Sequence, residues 1–440
     1  MLKTTVGENA GFDEVCRIYY MSSDDTHYDE LETRPPEQRE KALFGALPEF
    51  ISDAQSNSPY FGQILKGVNA RDITSRSALA SLPVTRKSDL ISLQKENFPF
   101  GGLTSCKPGQ LKRIYQSPGP IYDPEGYGDD WWGAARCLHA AGFRAGDILH
   151  NTFAYHLTPA GSILETGAAK IGCAVVPAGV GNTELQVRAI ADIKPTGYAG
   201  TPSFLVTLLE KAADLGEDVG SMSKAVVGGE ALSASLCQDI EIRGINCGQI
   251  YASADLGCIA YESEAREGLI VEERLIIEIV RPGTNETVSD GEVGEVVATM
   301  FAPEYPLIRF GTGDLSAVMP GTSPCGRTNM RLKGWMGRAD QTTKVKGMFV
   351  HPSQVAEVVK RHPEVLKARL VVDQREGVDV MTLNCEIDGT SQVAKQDNSI
   401  LEGIASTIQA VCKLKGEVTL KDRNTLPNDG KVIDDVRSYD

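Results

Sequence analysis

Three polar segments in the C-terminal third of the chain carry residue types that suit chemistry on a nucleotide. Residues 312–314 read Thr-Gly-Asp, residues 337–340 read Gly-Arg-Ala-Asp, and Lys431 follows Pro-Asn-Asp-Gly close to the C-terminus. A carboxylate can accept the hydroxyls of a ribose, and cations can neutralise the charge of a pentacoordinate phosphorus. Water must also be kept out, which a small domain on a hinge can do. This order of aspartate, hinge and lysine predicts activation of a carboxylate by ATP.

The overall composition excludes several classes of protein. A chain of 440 residues is too long for one core, so we expect two or more domains. The net charge of −15 and the pI near 5.0 argue against a nucleic-acid partner. No apolar run has the length of a membrane span, and the N-terminus lacks a signal-peptide core. The ten cysteines are scattered without a Cys-x-x-Cys pair, which predicts reduced thiols and a cytoplasmic location.

The hydrophobic pattern between about residue 142 and residue 257 is that of alternating strands and helices. It predicts, for example, a helix over 183–193, a strand over 197–200 and a helix over 202–215. Such alternation is typical of a parallel sheet covered by helices, whose ligands lie beyond the carboxyl ends of the strands.

The patterns in the rest of the chain predict two domains. The first hundred residues are typical of helical and irregular structure, and β-type patterns begin at about residue 269. After residue 340 helical and strand patterns mix again over about a hundred residues. We therefore predict an α/β fold: a large N-terminal α/β domain with parallel sheets and a β-rich portion, over residues 1–339, plus a small mobile α+β C-terminal domain over 340–440.

Several motifs give most of the chain a resemblance to a known family. From about residue 141 onward it resembles the adenylate-forming enzymes of the acyl-CoA synthetase superfamily, and in particular the phenylacetate–CoA ligase branch. The motifs are Gly-Gly-Glu at 228–230, Tyr-Ala-Ser-Ala-Asp-Leu-Gly at 251–257, Pro-Leu-Ile-Arg-Phe-Gly-Thr-Gly-Asp at 306–314, Cys-Gly-Arg at 325–327, Gly-Arg-Ala-Asp at 337–340 and Val-His-Pro-Ser at 350–353.

The resemblance implies a reaction and its small-molecule partners. Members of the family are acid–thiol ligases that use ATP and Mg²⁺ to activate a carboxylate and coenzyme A to accept the acyl group. An acyl-AMP forms first with pyrophosphate as leaving group, and the small domain then rotates so that the thiol of coenzyme A can attack. For this chain we expect an aryl or arylalkyl carboxylate, similar to phenylacetate.

The resemblance also implies a nucleotide site. Asp314 would accept the ribose hydroxyls, whereas the alternative reading is a turn aspartate that caps a loop. The glycines before Glu230 would lie against adenine with Tyr251 on its other side, whereas the alternative places Glu230 in a first helical turn favoured by the helix dipole. The full expected set is Ser203, Gly228, Gly229, Glu230, Gln249, Tyr251, Ala252, Asp314 and Arg338.

The resemblance also implies which residues of this chain are catalytic and which form the hinge. Lys431 would reach the bridging oxygen of the acyl phosphate, and Arg338 would reach ribose or phosphate oxygens. Asp255 stands where the family has glutamate and would contact Mg²⁺, either directly or, because its side chain is shorter, through water; a plain loop carboxylate is the alternative. Asp340 would be the pivot of the small domain, and Gly347 would line the tunnel for coenzyme A.

The acyl pocket is predicted from residues around the strand ends. Tyr155, His156, Ala178 and Gly179 offer aromatic and small side chains that suit a planar aromatic acid. A single histidine is more often structural than catalytic, so the role of His156 is left open.

The segment 115–125 departs from the family pattern. A phosphate loop is rich in Ser, Thr and Gly and ends near a lysine, because amides and hydroxyls hold the β- and γ-phosphates. Here prolines remove donors, and Asp123 and Glu125 add repulsion. Three cations nearby are candidates to compensate: Lys107, Lys112 and Arg113.

A second departure concerns zinc, which some relatives bind through cysteines and a histidine. Here Ser323 stands where a cysteine is needed, and the stretch 258–274 contains no histidine, so we expect no structural zinc.

Two rival functions stay open at this point. One is an adenylate-forming enzyme with an acceptor other than coenzyme A, as in the coenzyme F390 synthetases. The other is a catalytically decayed protein that binds a nucleotide or acyl group. Neither the identity of the acid nor the formation of a homodimer follows from the sequence.

Overall fold

The computed structural model describes most of the chain, namely residues 26–117, 120–230, 232, 234–282, 284–336, 338–339, 343–346, 348–350, 352–375, 378–387, 398–427 and 431–437. Asp340 and Gly347 lie outside these residues, so the predicted hinge and the predicted tunnel for coenzyme A stay predictions.

Helices are concentrated in the first half of the described chain and have clear end signals. Helix Pro202–Leu215, for instance, begins after Thr201, whose side chain accepts the N–H of Phe204, and it ends at Gly216 with a positive φ of 69°. The α-helices are α1 (Pro36–Asn57), α2 (Pro59–Ile64), α3 (Arg76–Ala80), α4 (Leu90–Glu96), α5 (Ala135–Ala140), α6 (Ala160–Ile171), α7 (Thr183–Ile193), α8 (Pro202–Leu215), α9 (Ala234–Ile242), α10 (Pro352–Lys360) and α11 (Asn398–Cys412), with short 3₁₀ helices at Glu30–Glu32, Ala70–Asp72, Lys87–Asp89 and Pro108–Gln110.

The strands of the described chain belong to five separate sheets. They are β1 (Thr85–Arg86), β2 (Arg113–Ser117), β3 (Ile121–Glu125), β4 (Ile148–Asn151), β5 (Ala174–Pro177), β6 (Gly197–Gly200), β7 (Lys224–Val227), β8 (Asn246–Ser253), β9 (Gly257–Glu262), β10 (Leu269–Val271), β11 (Leu275–Val280), β12 (Gly294–Met300), β13 (Leu307–Ser316), β14 (Val318–Met319), β15 (Arg331–Leu332), β16 (Thr343–Val345), β17 (Met348–Val350), β18 (Val365–Arg375), β19 (Val378–Ile387), β20 (Glu417–Lys421) and β21 (Ile433–Asp435).

The largest sheet has nine strands in the order β14-β15-β10-β9-β8-β7-β6-β4-β5. Strands β5, β4, β6, β7 and β8 are parallel, and the strands beyond β8 are antiparallel. Tyr198 and Ala199 are neighbours on β6 but pack into different apolar clusters, as expected for residues on opposite faces of a strand. Helices therefore cover both faces, which confirms the predicted α/β fold, and helices α7 and α8 and strand β6 have the predicted bounds.

A second sheet places the Thr-Gly-Asp motif next to the first sheet. Its order is β1-β13-β12-β11, with β1 parallel to β13. The alternative reading from the sequence, which placed Asp314 in a turn, is wrong on this point. Strand β13 continues to Ser316 because it stays paired with β12 past a register shift between Glu295 and Val297.

The segment 115–125, expected as a loop, falls within a β-hairpin. Strands β2 and β3 pair in antiparallel fashion, with Arg113 opposite Glu125 and Tyr115 opposite Asp123. The turn residues 118 and 119 lie outside the described part of the chain.

The C-terminal part forms an α+β unit. Its sheet has the order β20-β19-β18-β21, and α10 and α11 pack with it in an apolar cluster made only of residues between 345 and 433. The boundary between 339 and 340 stays a prediction because no described residue covers position 340.

Two further observations concern the whole described chain. Its nine described cysteines are all free thiols. Among the helices that the structure describes, none combines the length and the apolar character that a membrane span requires.

Candidate active site

A cleft of about 570 Å³ opens at the carboxyl ends of β7 and β8. Ligands of parallel α/β sheets bind at this edge. Six residues of the predicted nucleotide set line the cleft: Gly229, Glu230, Gln249, Tyr251, Ala252 and Asp314.

The carboxylate of Asp314 is held by three donors. The Tyr251 hydroxyl donates to Oδ2 at 3.1 Å, and Trp335 Nε1 and Arg338 Nη1 donate to Oδ1 at 3.1 and 3.2 Å. A carboxylate has about four acceptor positions, so three donors leave about one for a ligand. Binding two ribose hydroxyls therefore requires one of the half-exposed partners, Trp335 or Arg338, to move.

Trp335 is a cleft residue that the sequence reasoning missed. Its side chain is 54% exposed, which is unusual for an indole, and it lines the cleft beside Asp314. A tryptophan between the Cys-Gly-Arg and Gly-Arg-Ala-Asp motifs is a signal that could have found it.

Glu230 is tied to the start of a helix. Its Oε1 accepts the backbone N–H of Ser203 at 2.7 Å, in the first turn of α8. A carboxylate at a helix N-terminus is stabilised by the unpaired amides and the helix dipole. The alternative reading from the sequence named the right interaction but the wrong helix, since α9 begins only at Ala234.

Gly228 and Gly229 have different structural reasons to be glycine. A side-chain carbon on Gly228 would lie 2.8 Å from the carbonyl oxygen of Ile250 on the neighbouring strand, so strand packing alone requires glycine there. Gly229 has a φ of +80° and lines the cleft. Contact with adenine stays a prediction for both residues.

Gln249 and Ala252 lie on strand β8 where it lines the cleft. The backbone N–H of Gln249 donates to Glu262 Oε2 at 3.2 Å, and burial raises the pKa of that glutamate. Ala252 is exposed on the strand, where a small side chain leaves room for a ligand.

Asp255 lies fully buried in the turn between β8 and β9 and is paired with a lysine. Lys87 Nζ lies 2.5 Å from its Oδ2. Burial lowers the pKa of Lys87, but the charge and hydrogen bond of Asp255 outweigh burial, so the pKa is raised and the ammonium persists. The sequence reasoning missed Lys87. No local sequence pattern pairs it with Asp255, which is 168 positions away.

The charged side chains of the hairpin formed by β2 and β3 neutralise one another. Glu125 has no exposed side-chain surface and is paired with Lys112 and Arg113, each at 3.0 Å, while the Tyr115 hydroxyl donates to it at 2.6 Å. Burial raises the pKa of Glu125, but these donors outweigh burial and the pKa is lowered. Two of the three cations that were expected to compensate for a lost phosphate loop, Lys112 and Arg113, therefore neutralise Glu125 instead.

The predicted acyl residues surround a buried asparagine at the end of β4. Asn151 Nδ2 donates to the Tyr155 hydroxyl at 2.8 Å, and the Asn151 carbonyl accepts the N–H of Ala178 at 3.0 Å. A side-chain carbon on Gly179 would lie 4.0 Å from the Tyr155 ring. Three of the four candidates are thus neighbours, and His156 is exposed.

The loop that contains Gly179 is held by Gln186. Its Nε2 donates to the carbonyl oxygens of Gly179 and Gly181 at 2.9 and 2.7 Å, and its Oε1 lies 2.9 Å from His150 Nε2. Burial lowers the pKa of His150, which favours the neutral ring. Gln186 is therefore a positioning residue for this side of the site.

Lys431 is engaged within the C-terminal unit. Its Nζ lies 3.1 Å from Oδ1 of Asp434, which Arg369 also contacts at 2.7 Å. The Lys431 side chain is 40% exposed, and an ion pair this exposed is weak enough to be exchanged for a phosphate.

The region in which the resemblance would place zinc ligands is built from other contacts here. Cys325 Sγ lies 3.0 Å from the hydroxyl of Ser323, and Arg327 forms a fully buried ion pair with Glu32 at 3.0 Å. Among the described residues, no group of three or more His, Cys, Asp or Glu side chains is placed to hold a metal.

Comparison with known proteins gives consistent results. The AMP-binding enzyme family matches residues 135–299, and the AMP-binding enzyme C-terminal domain family matches residues 347–436. The phenylacetate-coenzyme A ligase of Aromatoleum evansii is 31% identical, over 82% of this chain and 84% of the relative. That of Thermus thermophilus is 32% identical, over 81% and 83%.

A solved structure shows the same fold. The 2-hydroxyisobutyryl-CoA ligase in complex with 2-HIB-AMP and CoA superposes with a TM-score of 0.69 at 22% identity, covering 95% of this chain and 94% of the other.

Proposed function

Because the chain belongs to the phenylacetate–CoA ligase family of AMP-binding enzymes, we propose that it activates an aryl or arylalkyl carboxylate with ATP and transfers the acyl group to coenzyme A. A carboxylate oxygen bonds to the α-phosphorus while the bond to the bridging oxygen breaks, and pyrophosphate leaves with the electron pair. The thiolate of coenzyme A then bonds to the acyl carbon, and AMP leaves.

The observation that carries this proposal is the set of donors around Asp314. Tyr251, Trp335 and Arg338 come from separate segments and converge on one carboxylate in the cleft. A carboxylate oriented in this way is suited to accept ribose hydroxyls, since charged acceptors form the stronger hydrogen bonds. Arg338, about half exposed, can shift from Asp314 to a phosphate oxygen as charge develops there.

The role proposed for Lys431 depends on movement of the C-terminal unit. Its ammonium would exchange Asp434 for the bridging oxygen of the acyl phosphate during adenylation. Asp340 and Gly347 would then act as pivot and as tunnel lining for the second step, as the resemblance implies.

A Mg²⁺ ion fits next to Asp255. Oδ1 of this carboxylate is buried and has no hydrogen-bond partner in the described chain, and Mg²⁺ binds such oxygens together with phosphates and water. When bound it would neutralise phosphate charge.

The residues of the predicted acyl pocket favour an aromatic acid. The Tyr155 ring lies beside Gly161, where a side-chain carbon would come within 2.8 Å of it, and faces Gly179. A flat acyl ring could stack on an aromatic side chain that lies next to these glycines. Tyr155→Ala should therefore raise the KM for the acid with little effect on the KM for ATP, whereas a parallel rise in both would argue against this pocket.

The test of the proposed function is carboxylate-dependent release of pyrophosphate from ATP, followed with and without coenzyme A over a panel of aryl and arylalkyl acids. Acid-dependent release together with the corresponding thioester supports the proposal. Release without a thioester points to another acceptor, and nucleotide binding without release points to a binding protein.

A further inference from the structure

The Thr-Gly-Asp motif at 312–314 forms a bulge in strand β13. Before the bulge Gly311 pairs with Val297 of β12, and after it Leu315 pairs with Glu295. The three motif residues therefore lie opposite a single residue of β12. A bulge interrupts the ladder, so its backbone amides need acceptors other than the carbonyls of the neighbouring strand.

Side-chain oxygens accept two of the amides in the bulge. Thr312 Oγ1 accepts the N–H of Asp314 at 3.1 Å and donates to the carbonyl oxygen of Val296 at 3.0 Å. Glu295 Oε1 accepts the N–H of Gly313 at 3.2 Å. The first bond is made within the motif, whereas the second comes from a side chain of β12. Glu295 therefore holds the residue directly before Asp314 from the neighbouring strand.

The surroundings of Glu295 fix both oxygens of its carboxylate. The residue is 2% exposed, and Arg86 Nε lies 3.4 Å from its Oε2. A buried carboxylate needs such a charged partner together with hydrogen bonds. A side-chain carbon on Gly311 would lie 2.6 Å from Oε1, so glycine at that position leaves room for this oxygen. Oε2 thus faces the arginine, and Oε1 faces the motif.

Gly313 is the part of the bulge that most needs to be held. Its φ of +77° belongs to a region that glycine enters freely, and glycine also has the largest backbone freedom to lose. The structure holds it at both backbone groups. Glu295 accepts its N–H, and its carbonyl oxygen accepts the N–H of Ala339 at 2.6 Å. The direction in which Asp314 leaves the bulge depends on these two bonds.

We propose that Glu295 is a positioning residue for the nucleotide, because it holds the bulge that aligns Asp314 with the ribose hydroxyls. This inference rests on the proposed function, in which Asp314 accepts those hydroxyls. The contrasting role is that of a buried partner of Arg86 with no influence on the ligand.

Two conservative variants separate these roles. Glu295→Gln keeps the length of the side chain and an oxygen acceptor for Gly313 but removes the charge that faces Arg86. Glu295→Asp keeps the charge, but its side chain is one methylene shorter and withdraws from the amide. A positioning role therefore predicts a defect in Glu295→Asp that Glu295→Gln avoids, whereas a role in charge pairing alone predicts the reverse.

The experiment is calorimetric titration of the purified full-length protein with AMP and with 2′,3′-dideoxy-AMP, which lacks both ribose hydroxyls. Glu295→Asp should weaken AMP binding about tenfold, since hydrogen bonds to a charged acceptor are lost, and should leave the dideoxy nucleotide within about twofold of the wild type. Glu295→Gln should keep the affinity for AMP within about threefold. Gly311→Ala crowds the same carboxylate oxygen and should reproduce the selective loss for AMP.

The matched control is Glu273→Asp, which shortens another buried glutamate. Glu273 is 4% exposed and is paired with Arg34 and Arg39, each at 2.8 Å, and none of the three lines the cleft. Melting temperatures are measured for every variant, and the control should bind both nucleotides as the wild type does.

Three results would overturn the inference while leaving the proposed function intact. They are an unchanged affinity for AMP in folded Glu295→Asp, an equal loss for both nucleotides, and a larger loss in Glu295→Gln than in Glu295→Asp. A wild type that binds neither nucleotide would instead overturn the nucleotide site itself, and the positioning role with it.

Discussion

The hydroxyl of Tyr251 lies 3.1 Å from Oδ2 of Asp314, although 63 positions separate the two residues in the sequence. Tyr251 belongs to strand β8 of the nine-stranded sheet, and Asp314 belongs to β13 of the four-stranded sheet. The same hydroxyl lies 3.4 Å from Thr312 Oγ1 on β13, so Tyr251 joins the two sheets at the cleft. The candidate nucleotide site therefore lies where the two sheets meet.

The first prediction concerns the affinity for the nucleotide. Asp314→Ala removes a charged acceptor from two ribose hydroxyls, a loss of about 1.5–3 kcal/mol in binding free energy. Calorimetric titration with ATP and with AMP should show both affinities falling to a similar extent. Tyr251→Phe should have a smaller effect, because Trp335 and Arg338 still orient the carboxylate. Unchanged affinity in Asp314→Ala would leave Asp314 with a purely structural role.

The second prediction separates the two half-reactions. Lys431→Ala should abolish formation of acyl-adenylate but spare thioester formation from supplied acyl-adenylate, because this lysine acts only on the phosphate being attacked. Lys421→Ala, an exposed lysine on β20 of the same unit, serves as control and should affect neither step. Equal loss of both half-reactions in Lys431→Ala would refute the assignment.

The third prediction concerns the hairpin cations. Arg113→Glu places a second carboxylate against buried Glu125, so the protein should melt at a lower temperature. The KM for ATP should not rise more than the dissociation constant for AMP, because the structure commits Arg113 to Glu125 rather than to phosphates. A rise confined to ATP would show that Arg113 serves the β- and γ-phosphates after all.

These outcomes show which features could be predicted from the sequence. Helices α7 and α8 have the predicted bounds because periodicity and capping are local signals. The motif residues that follow β7 and those on β8 lie together because the carboxyl ends of parallel strands share one edge, whereas Asp314 comes from the second sheet.

The remaining features depend on contacts that are distant in the sequence. Lys87 and Asp255 are 168 positions apart, and no local pattern pairs them. The sequence analysis missed the hairpin because its prolines and carboxylates are typical of a loop. In the structure Asp123 is buried and Glu125 is neutralised by an ion pair, so both carboxylates are accommodated in a strand. Asp314 lies in a strand only because β12 continues beside it.

The fourth prediction tests the buried ion pair between Arg327 and Glu32. Arg327→Ala leaves Glu32 buried without its partner, which should destabilise the protein by about 3–5 kcal/mol. Arg281→Ala breaks pairs in which the arginine is 54% exposed and should change stability by at most about 1 kcal/mol. Urea unfolding of both variants makes the comparison, and equal midpoints would show that the Glu32–Arg327 pair contributes little.

The most direct measurement of the central claim is the release of pyrophosphate from ATP as a function of added carboxylate. We expect release to require an aryl or arylalkyl acid and, when coenzyme A is present, to be matched by equal amounts of AMP and of the acyl thioester. Asp314→Ala should lower both signals about 10- to 150-fold at sub-saturating ATP. Intact protein that binds ATP but releases no pyrophosphate with any acid of the panel would contradict the account.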